Sequence, residues 1–248
     1  MLAEERYNAI LRELEMRGAV TVQELCDRLK ISESTARRDL ITLGRQGRLI
    51  KVRGGATRAG GNFLSGEPDV PTKQRLHTAE KDRIARYAAA QIDDNDFVYI
   101  DAGTTTGRMI DYIENSRATF VTNGIVHARK LIQKGCRAYI VGGQIKLSTQ
   151  AVVGTLASGM LRQYNFTKAF LGANGISLSR GFTTPDPEEA LLKNEACRQA
   201  FASFVLADSS KFGLVSAVTF LGLDEACILT DRIPEEKYGK AARIQEIL

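Results

Sequence analysis

The sequence predicts an α/β protein: a domain on a mostly parallel sheet, preceded by a small winged helix-turn-helix. Three observations carry this. Residues 18–55, GAVTVQELCDRLKISESTARRDLITLGRQGRLIKVRGG, give two capped amphipathic helices and then a short alternating strand closed by two glycines. Beyond residue 75, short continuous apolar strands alternate with helices, the pattern of a parallel sheet covered on both faces. The basic excess sits at one end. Residues 1–60 hold 12 Lys/Arg against 8 Asp/Glu, whereas the other 188 residues hold 22 against 21. That asymmetry is the electrostatic footprint of nucleic-acid binding. The expected division is a DNA-binding domain over 1–57, a linker over 58–74 and an α/β domain over 75–248.

In the first domain Thr21 is an N-cap signal, and Glu24 three positions on completes a capping box. The helix it opens puts Val22, Leu25, Cys26 and Leu29 on one face. Lys30-Ile31-Ser32 is a turn, and Ser32 caps a second helix from Glu33 to about Leu43. At about 100° per residue, Ala36, Leu40 and Leu43 share an inward stripe. Ser34, Arg38 and Ile41 fall opposite, flanked by Thr35, Arg37 and Thr42. An apolar seat with short polar and Arg side chains facing outward is what a major-groove recognition helix requires. Gly47 stops the helix. Arg48-Leu49-Ile50-Lys51-Val52-Arg53 then reads as a β-wing, with Arg48, Lys51 and Arg53 available to phosphates. The partner expected from Ser34, Thr35, Arg37, Arg38, Arg48, Lys51 and Arg53 is a double-stranded DNA operator.

Residues 56 to about 74 concentrate Gly, Ser and Pro, as linkers do. A helix follows over 78–92, with Ile84, Ala85, Ala88, Ala89 and Ile92 on one side. Then come strand 97–100, helix 105–114, strand 118–122, helix 125–134 and strand 137–141. Helix 155–163, strand 168–172, helix 187–201, strands 203–207 and 226–230, and a final helix 235–247 complete the series.

Composition bounds the rest. A chain of 248 residues, 44% hydrophobic and 25% charged, reads as an ordinary soluble protein. No apolar run approaches the roughly 20 residues a bilayer span needs, and the charged start is no signal peptide. Cys26, Cys136, Cys197 and Cys227 are scattered, without CxxC spacing or a His cluster, so neither a disulfide framework nor a zinc site is expected. The expected compartment is a reducing cytoplasm, with no membrane partner and no metal or other cofactor.

In an open parallel sheet, ligands bind beyond the carboxyl ends of the strands. Strand 97–100 runs into Asp101-Ala102-Gly103-Thr104-Thr105-Thr106-Gly107 at a helix start, where hydroxyls and free amides suit a phosphate. Other strands end at Asn123-Gly124, at Gly142-Gly143 with Lys146 beyond, at Ala173-Asn174-Gly175, and at Asp208-Ser209-Ser210-Lys211. Together they suit a phosphorylated polyol. The segment Gly181-Phe182-Thr183-Thr184-Pro185-Asp186-Pro187-Glu188-Glu189 reads as a lid whose acids, Asp186 and Glu189, bind sugar hydroxyls. Its alternative is a capped helix start with Pro187 at the first position.

These motifs resemble the DeoR family of bacterial regulators along essentially the whole chain. The likeness rests on Glu5-Arg6, VTVQELCDRLKISESTARRDLITL and GRLIKVRGGAT in the first domain, and on DAGTTT, VTNG, VGG, GANGIS and ADSSKFG in the second. The family usually has His where this chain has Arg53. The resemblance implies a repressor of sugar, polyol or nucleoside catabolism with an effector domain similar to the sugar-phosphate isomerase fold. It makes Asp101, Gly103, Thr104, Thr105, Thr106, Asn123, Gly142, Gly143, Asn174 and Lys211 effector-site candidates. GFTTPDPEEA looks most like the fructose-operon repressor branch, which implies a fructose phosphate effector such as the 1-phosphate.

The rival reading is a sugar-phosphate isomerase with a fused DNA-binding domain. Ribose-5-phosphate isomerases place acids in a DGADE segment followed by a lysine-glycine run. The matching stretch here is Leu171-Gly172-Ala173-Asn174-Gly175, then Arg180-Gly181, so Leu171 and Asn174 stand where acids are needed. An amide is no general base. Glu189 alone survives as an acid, while His77 reads as a solvated or interface group and His127 as a surface group, with approach to the ligand as its alternative. The expectation is therefore a ligand-responsive regulator and not an enzyme. One wing offers few base contacts, so a homo-oligomer, dimer or tetramer, reading paired half-sites is expected.

Overall fold

Two units make up the chain, Met1–Phe63 and Leu64–Leu248. The computed structural model describes residues 3–46, 48–52, 54–58, 63–64, 68–114 and 116–248. Gly47 and Arg53, read above as helix stop and wing cation, lie outside the described residues.

The first unit runs α1 (Ala3–Arg17), β1 (Ala19–Thr21), α2 (Val22–Leu29), α3 (Glu33–Arg45), β2 (Leu49–Val52) and β3 (Gly55–Arg58). The capping box of α2 forms with both halves present, Thr21 Oγ1 accepting from Glu24 N and Glu24 accepting from Thr21 N. Ala36, Leu40 and Leu43 of α3 are fully buried among Ile10, Leu14, Val20 and Leu25. The wing is three-stranded, in the order β1–β3–β2 and antiparallel throughout. β3 crosses the segment that the sequence reads as the start of the linker. Gly55 is required there, because a Cβ on it would stand 2.1 Å from Val20 O on the neighbouring strand. α3 is also tied to α1 by a fork that the hydrophobic stripe does not reveal. Arg6 Nε and Nη2 donate to Asp39 at 2.8 and 3.2 Å, and Asp39 is buried.

The second unit continues with α4 (Val70–Arg75), α5 (Thr78–Ala89), β4 (Phe97–Ile100), α6 (Thr104–Met109), β5 (Thr119–Thr122), α7 (Ile125–Gln133), β6 (Arg137–Ile140), β7 (Gln144–Lys146) and β8 (Ala151–Val153). It ends with α8 (Thr155–Leu161), β9 (Phe166–Gly172), β10 (Gly175–Ser177), β11 (Gly181–Thr184), α9 (Pro187–Arg198), β12 (Ala200–Leu206), β13 (Val218–Leu221), β14 (Cys227–Thr230), α10 (Glu236–Ala241) and β15 (Arg243–Glu246). Seven strands form one parallel sheet in the order β15–β14–β12–β9–β4–β5–β6. Two apolar layers cover it. One centres on Ile84, Ile100, Phe120 and Phe170, the other on Tyr99, Phe166, Phe182 and Ile228. The chain winds outward from β4 to β5 and β6, then returns to add β9, β12, β14 and β15 on the other side. The order reverses between β4 and β9, which is where an open sheet forms a ligand crevice.

Several expectations are corrected. The linker reading over 58–74 takes in a helix, α4, capped by Asp69 Oδ1 accepting from Thr72 N at 2.9 Å. The helix read as 105–114 ends at Met109 and tightens into a 3-10 turn over Ile110–Tyr112. The final helix stops at Ala241. Residues Arg243–Glu246 pair with β14 as a parallel edge strand, so tertiary hydrogen bonding overrides local helical pattern. Gly181–Thr184 is no lid but a fully buried strand, β11, paired between β10 and β13. Among the described residues the four cysteines are free, and no helix is long and apolar enough to cross a membrane.

Candidate DNA-recognition face and candidate effector cleft

α3 presents Ser34, Arg37 and Arg38 outward, with Thr35 half-buried beside them. Ser32 caps the helix by accepting from Thr35 N at 3.2 Å, and its hydroxyl lies 2.8 Å from that of Thr35. Arg37 is paired with Glu33 one turn back. Arg38 has no side-chain partner among the described residues, which leaves its guanidinium for a ligand. Arg48 and Lys51 are exposed on the wing. The wing strand is not two-faced: only Leu49 is buried, while Ile50 and Val52 lie in solvent.

In the second unit a cleft of about 660 Å³, counting its open mouth, lies over the ends of β4, β5, β9 and β12. Asp101, Gly103, Thr104, Thr105, Asn123, Asn174, Glu189 and Lys211 all line it, as does Asp208. At its floor Asp101 is buried, with Oδ2 accepting from Lys193 Nζ and from Gly172 N at 3.1 Å. Thr104 and Thr105 stand at the start of α6, and their hydroxyls have no protein partner among the described residues. Asn123 is held at both ends: Oδ1 accepts from Ala102 N at 2.9 Å and Nδ2 donates to Val152 O at 3.2 Å. It shapes the cleft by fixing the Asp101–Gly103 turn. Asn174 Oδ1 accepts from Thr184 Oγ1 at 3.1 Å.

Other candidates fall elsewhere. Thr106 is fully buried beneath the loop, its hydroxyl donating to Asp101 O and accepting from Gly103 N. Gly142 and Gly143 are exposed and do not line the cleft. Lys146 and Asp186 lie outside it and pair with each other at 2.9 Å. Asp186 Oδ1 also caps α9, accepting from Glu188 N and Glu189 N at 2.8 and 3.0 Å. Lys146 neutralises Glu189 too, at 3.0 Å, which removes the one acid the isomerase reading retained from service as a free base.

His127 is not a surface group. It is buried under the Asp101–Thr106 loop, with Nε2–H donating to Gly103 O at 3.0 Å. Burial lowers its pKa from 6.5 to about 4, so the ring is neutral. Its seat depends on Gly124, where a Cβ would come within 2.5 Å of Nδ1.

Two buried lysines of the cleft escape the sequence reading. Lys193 lies one helical turn beyond Glu189, so an i, i+4 acid–base pair on α9 was the available signal. Lys81 shares its helix face with Ile84, Ala85 and Ala88, and a lysine in an apolar stripe was the signal there. Lys81 is 3% exposed. Lys73, Lys81 and Lys211 line the cleft together with Asp208, and the other three are near enough to Lys81 to act on its charge. Asp208 Oδ1 accepts from Ser210 N at 3.1 Å, while its Oδ2 is buried with no hydrogen-bond partner. The arrangement can hold a small polyhydroxyl anion: hydroxyl acceptors and donors toward Asp101 and Asn174, cations toward Lys81 and Lys211.

Comparison with known proteins bears on both units. Residues 6–60 match the DeoR-like helix-turn-helix domain, and residues 76–232 match the DeoR C-terminal sensor domain. The regulator FruR of Bacillus subtilis (strain 168) is 43% identical over 93% of this chain and 91% of its own length. The lactose phosphotransferase system repressor of Staphylococcus aureus (strain N315) is 31% identical over 94% of each. Among solved structures, ribose 5-phosphate isomerase A from Methanocaldococcus jannaschii superposes with a TM-score of 0.40 and 15% identity over 53% of each chain. Both relatives, matched over more than nine-tenths of this chain, are transcriptional regulators, and this chain belongs to the DeoR family of DNA-binding transcriptional regulators.

Proposed function

We propose that the protein represses a sugar catabolic operon in the cytoplasm and reads a phosphorylated sugar, a fructose phosphate, in the cleft of its second unit. Operator contacts come from Ser34, Thr35, Arg37 and Arg38 toward bases, and from Arg48, Lys51 and Arg53 toward phosphates. Two or more copies engage paired half-sites, since one wing reads few bases. The observation that carries the effector reading is the cleft at the sheet's switch point. There the unpartnered hydroxyls of Thr104 and Thr105 face the same space as Lys211, which has no ion-pair partner among the described residues. A polyol phosphate satisfies both. The name of one relative, a lactose phosphotransferase system repressor, supports a sugar ligand.

The test is calorimetry with fructose 1-phosphate, fructose 6-phosphate and fructose. The phosphorylated sugars should bind far more tightly, because charge-assisted contacts are lost without the phosphate. Thr105→Ala and Lys211→Ala should leave operator binding intact and abolish the response. Equal affinity for phosphorylated and free sugar removes the phosphate site.

A further inference from the structure

Lys81 is buried on α5, yet no carboxylate lies within ion-pair distance of it among the described residues. Its ammonium donates to the carbonyl of Lys73 in α4. Burial and the nearby positive charges of Lys211, Arg108 and Lys73 push its pKa down, with only Asp208 opposing. A buried cation in that position is under-compensated, and an arriving anion restores the balance. The ammonium has three donors and spends one on Lys73, so it can hold an anion without releasing α4.

α4 is also held from a second side. Arg108 Nη2 donates to Gln74 O at 3.0 Å while Nη1 pairs with Asp82 at 2.6 Å. Arg108 closes the same short helix, α6, that opens with Thr104 and Thr105 in the cleft. The last carbonyls of α4 are thus gripped by the two helices that supply the cleft's cation and its hydroxyls. Among the described residues α4 is the first helix of the sensor unit, which begins at Leu64, whose N–H donates to Val215 O at 2.8 Å.

We propose that Lys81 is the anion anchor of the cleft, binding the phosphate together with Lys211, and that its bond to α4 carries occupancy of the cleft into the first helix of the sensor unit. The inference rests on the effector reading above. An anion that fixes the Lys81 ammonium strengthens its grip on the Lys73 carbonyl, so a bound phosphosugar orders α4. The resulting difference in order of α4 is a differential free energy through which a ligand can bias DNA affinity.

The experiment uses the full-length protein as wild type, Lys81→Met and Arg108→Gln, with fructose 1-phosphate, inorganic phosphate and fructose as probes. Calorimetry gives affinity, and hydrogen exchange read by mass spectrometry gives the protection of residues 70–76. In wild type, fructose 1-phosphate should slow exchange across α4. Lys81→Met should bind it about ten- to a hundredfold more weakly, the worth of a hydrogen bond to a charged group, with fructose affinity unchanged and α4 exchange unmoved. Arg108→Gln, whose side chain does not line the cleft, should keep wild-type affinity and lose part of the ligand-induced slowing of α4 exchange, so the transmission stays testable if Lys81→Met misfolds. Failure of wild type to bind any phosphosugar overturns the effector reading itself. Wild-type phosphosugar affinity in Lys81→Met overturns the anchor alone. Phosphosugar binding with α4 exchange unchanged in wild type overturns the transmission.

Discussion

At the scale of single residues, the chemistry is set by which polar groups are spent on structure and which are left for a ligand. On α3, Arg37 is occupied by Glu33, while Arg38 has no side-chain partner among the described residues. Arg38→Ala should therefore weaken specific operator binding by about 1–3 kcal/mol and relax base preference, without altering effector affinity. Gel shifts with cognate and mismatched DNA measure this, and unchanged specificity removes the recognition-helix assignment. His127 gives a pH prediction. Its folded pKa of about 4 lies below the ordinary 6.5, so the unfolded chain binds more protons between those values. Stability from this group is whole above about pH 6.5 and falls by roughly 3 kcal/mol as pH drops to about 4. Urea melts at pH 7.5 and 4.5 should show a smaller loss in His127→Gln than in wild type. The sequence could not reveal this, since His127 follows an ordinary Asn-Gly turn and its burial depends on a loop some 20 residues earlier in the chain. Asp101, Thr104, Thr105 and Lys211 were legible because strand ends in an open sheet converge by topology. Lys193 and Lys81 were not, because a helical lysine reads as solvent-facing until the element it packs against is known.

At the scale of elements, α9 is the strut of the cleft. It brings Glu189 to its wall and Lys193 to the buried Asp101, joining residues 92 positions apart. Removing one partner leaves an uncompensated buried charge. Lys193→Met should cost about 3–5 kcal/mol in stability, and adding Asp101→Asn should recover much of it. Equilibrium urea unfolding of the single and double variants gives the coupling, and strict additivity would dissolve the pair as a structural unit. The parallel strands and their helices were readable, because fully buried strands are continuously apolar and their flanking turns are marked. The antiparallel strands β10, β11 and β13 were missed. Gly175–Ser177 and Gly181–Thr184 carry Gly, Ser and Thr, so their burial comes from mutual pairing and not from an apolar run. The edge strand β15 was missed for the complementary reason. Arg243-Ile244-Gln245-Glu246 is polar enough for a surface helix and becomes a strand only because β14 offers an unpaired edge.

At the scale of the whole molecule, the chain joins a basic reader of DNA to a sheet whose switch point forms a polar, cation-rich cleft. The two functions are separable in sequence, as the charge asymmetry showed, and must be coupled in free energy for the protein to regulate. Linkage fixes what that coupling means: a ligand shifts operator affinity only by its differential affinity for the DNA-bound and free forms, and DNA must shift ligand affinity by the same factor. The most direct test is titration of operator DNA with the full-length protein, at fixed salt, in the presence of saturating fructose 1-phosphate, fructose or neither. The account predicts that the phosphosugar changes the DNA dissociation constant by about 5- to 150-fold while fructose leaves it unaltered. A phosphosugar that binds in calorimetry yet leaves the DNA dissociation constant unchanged would contradict it.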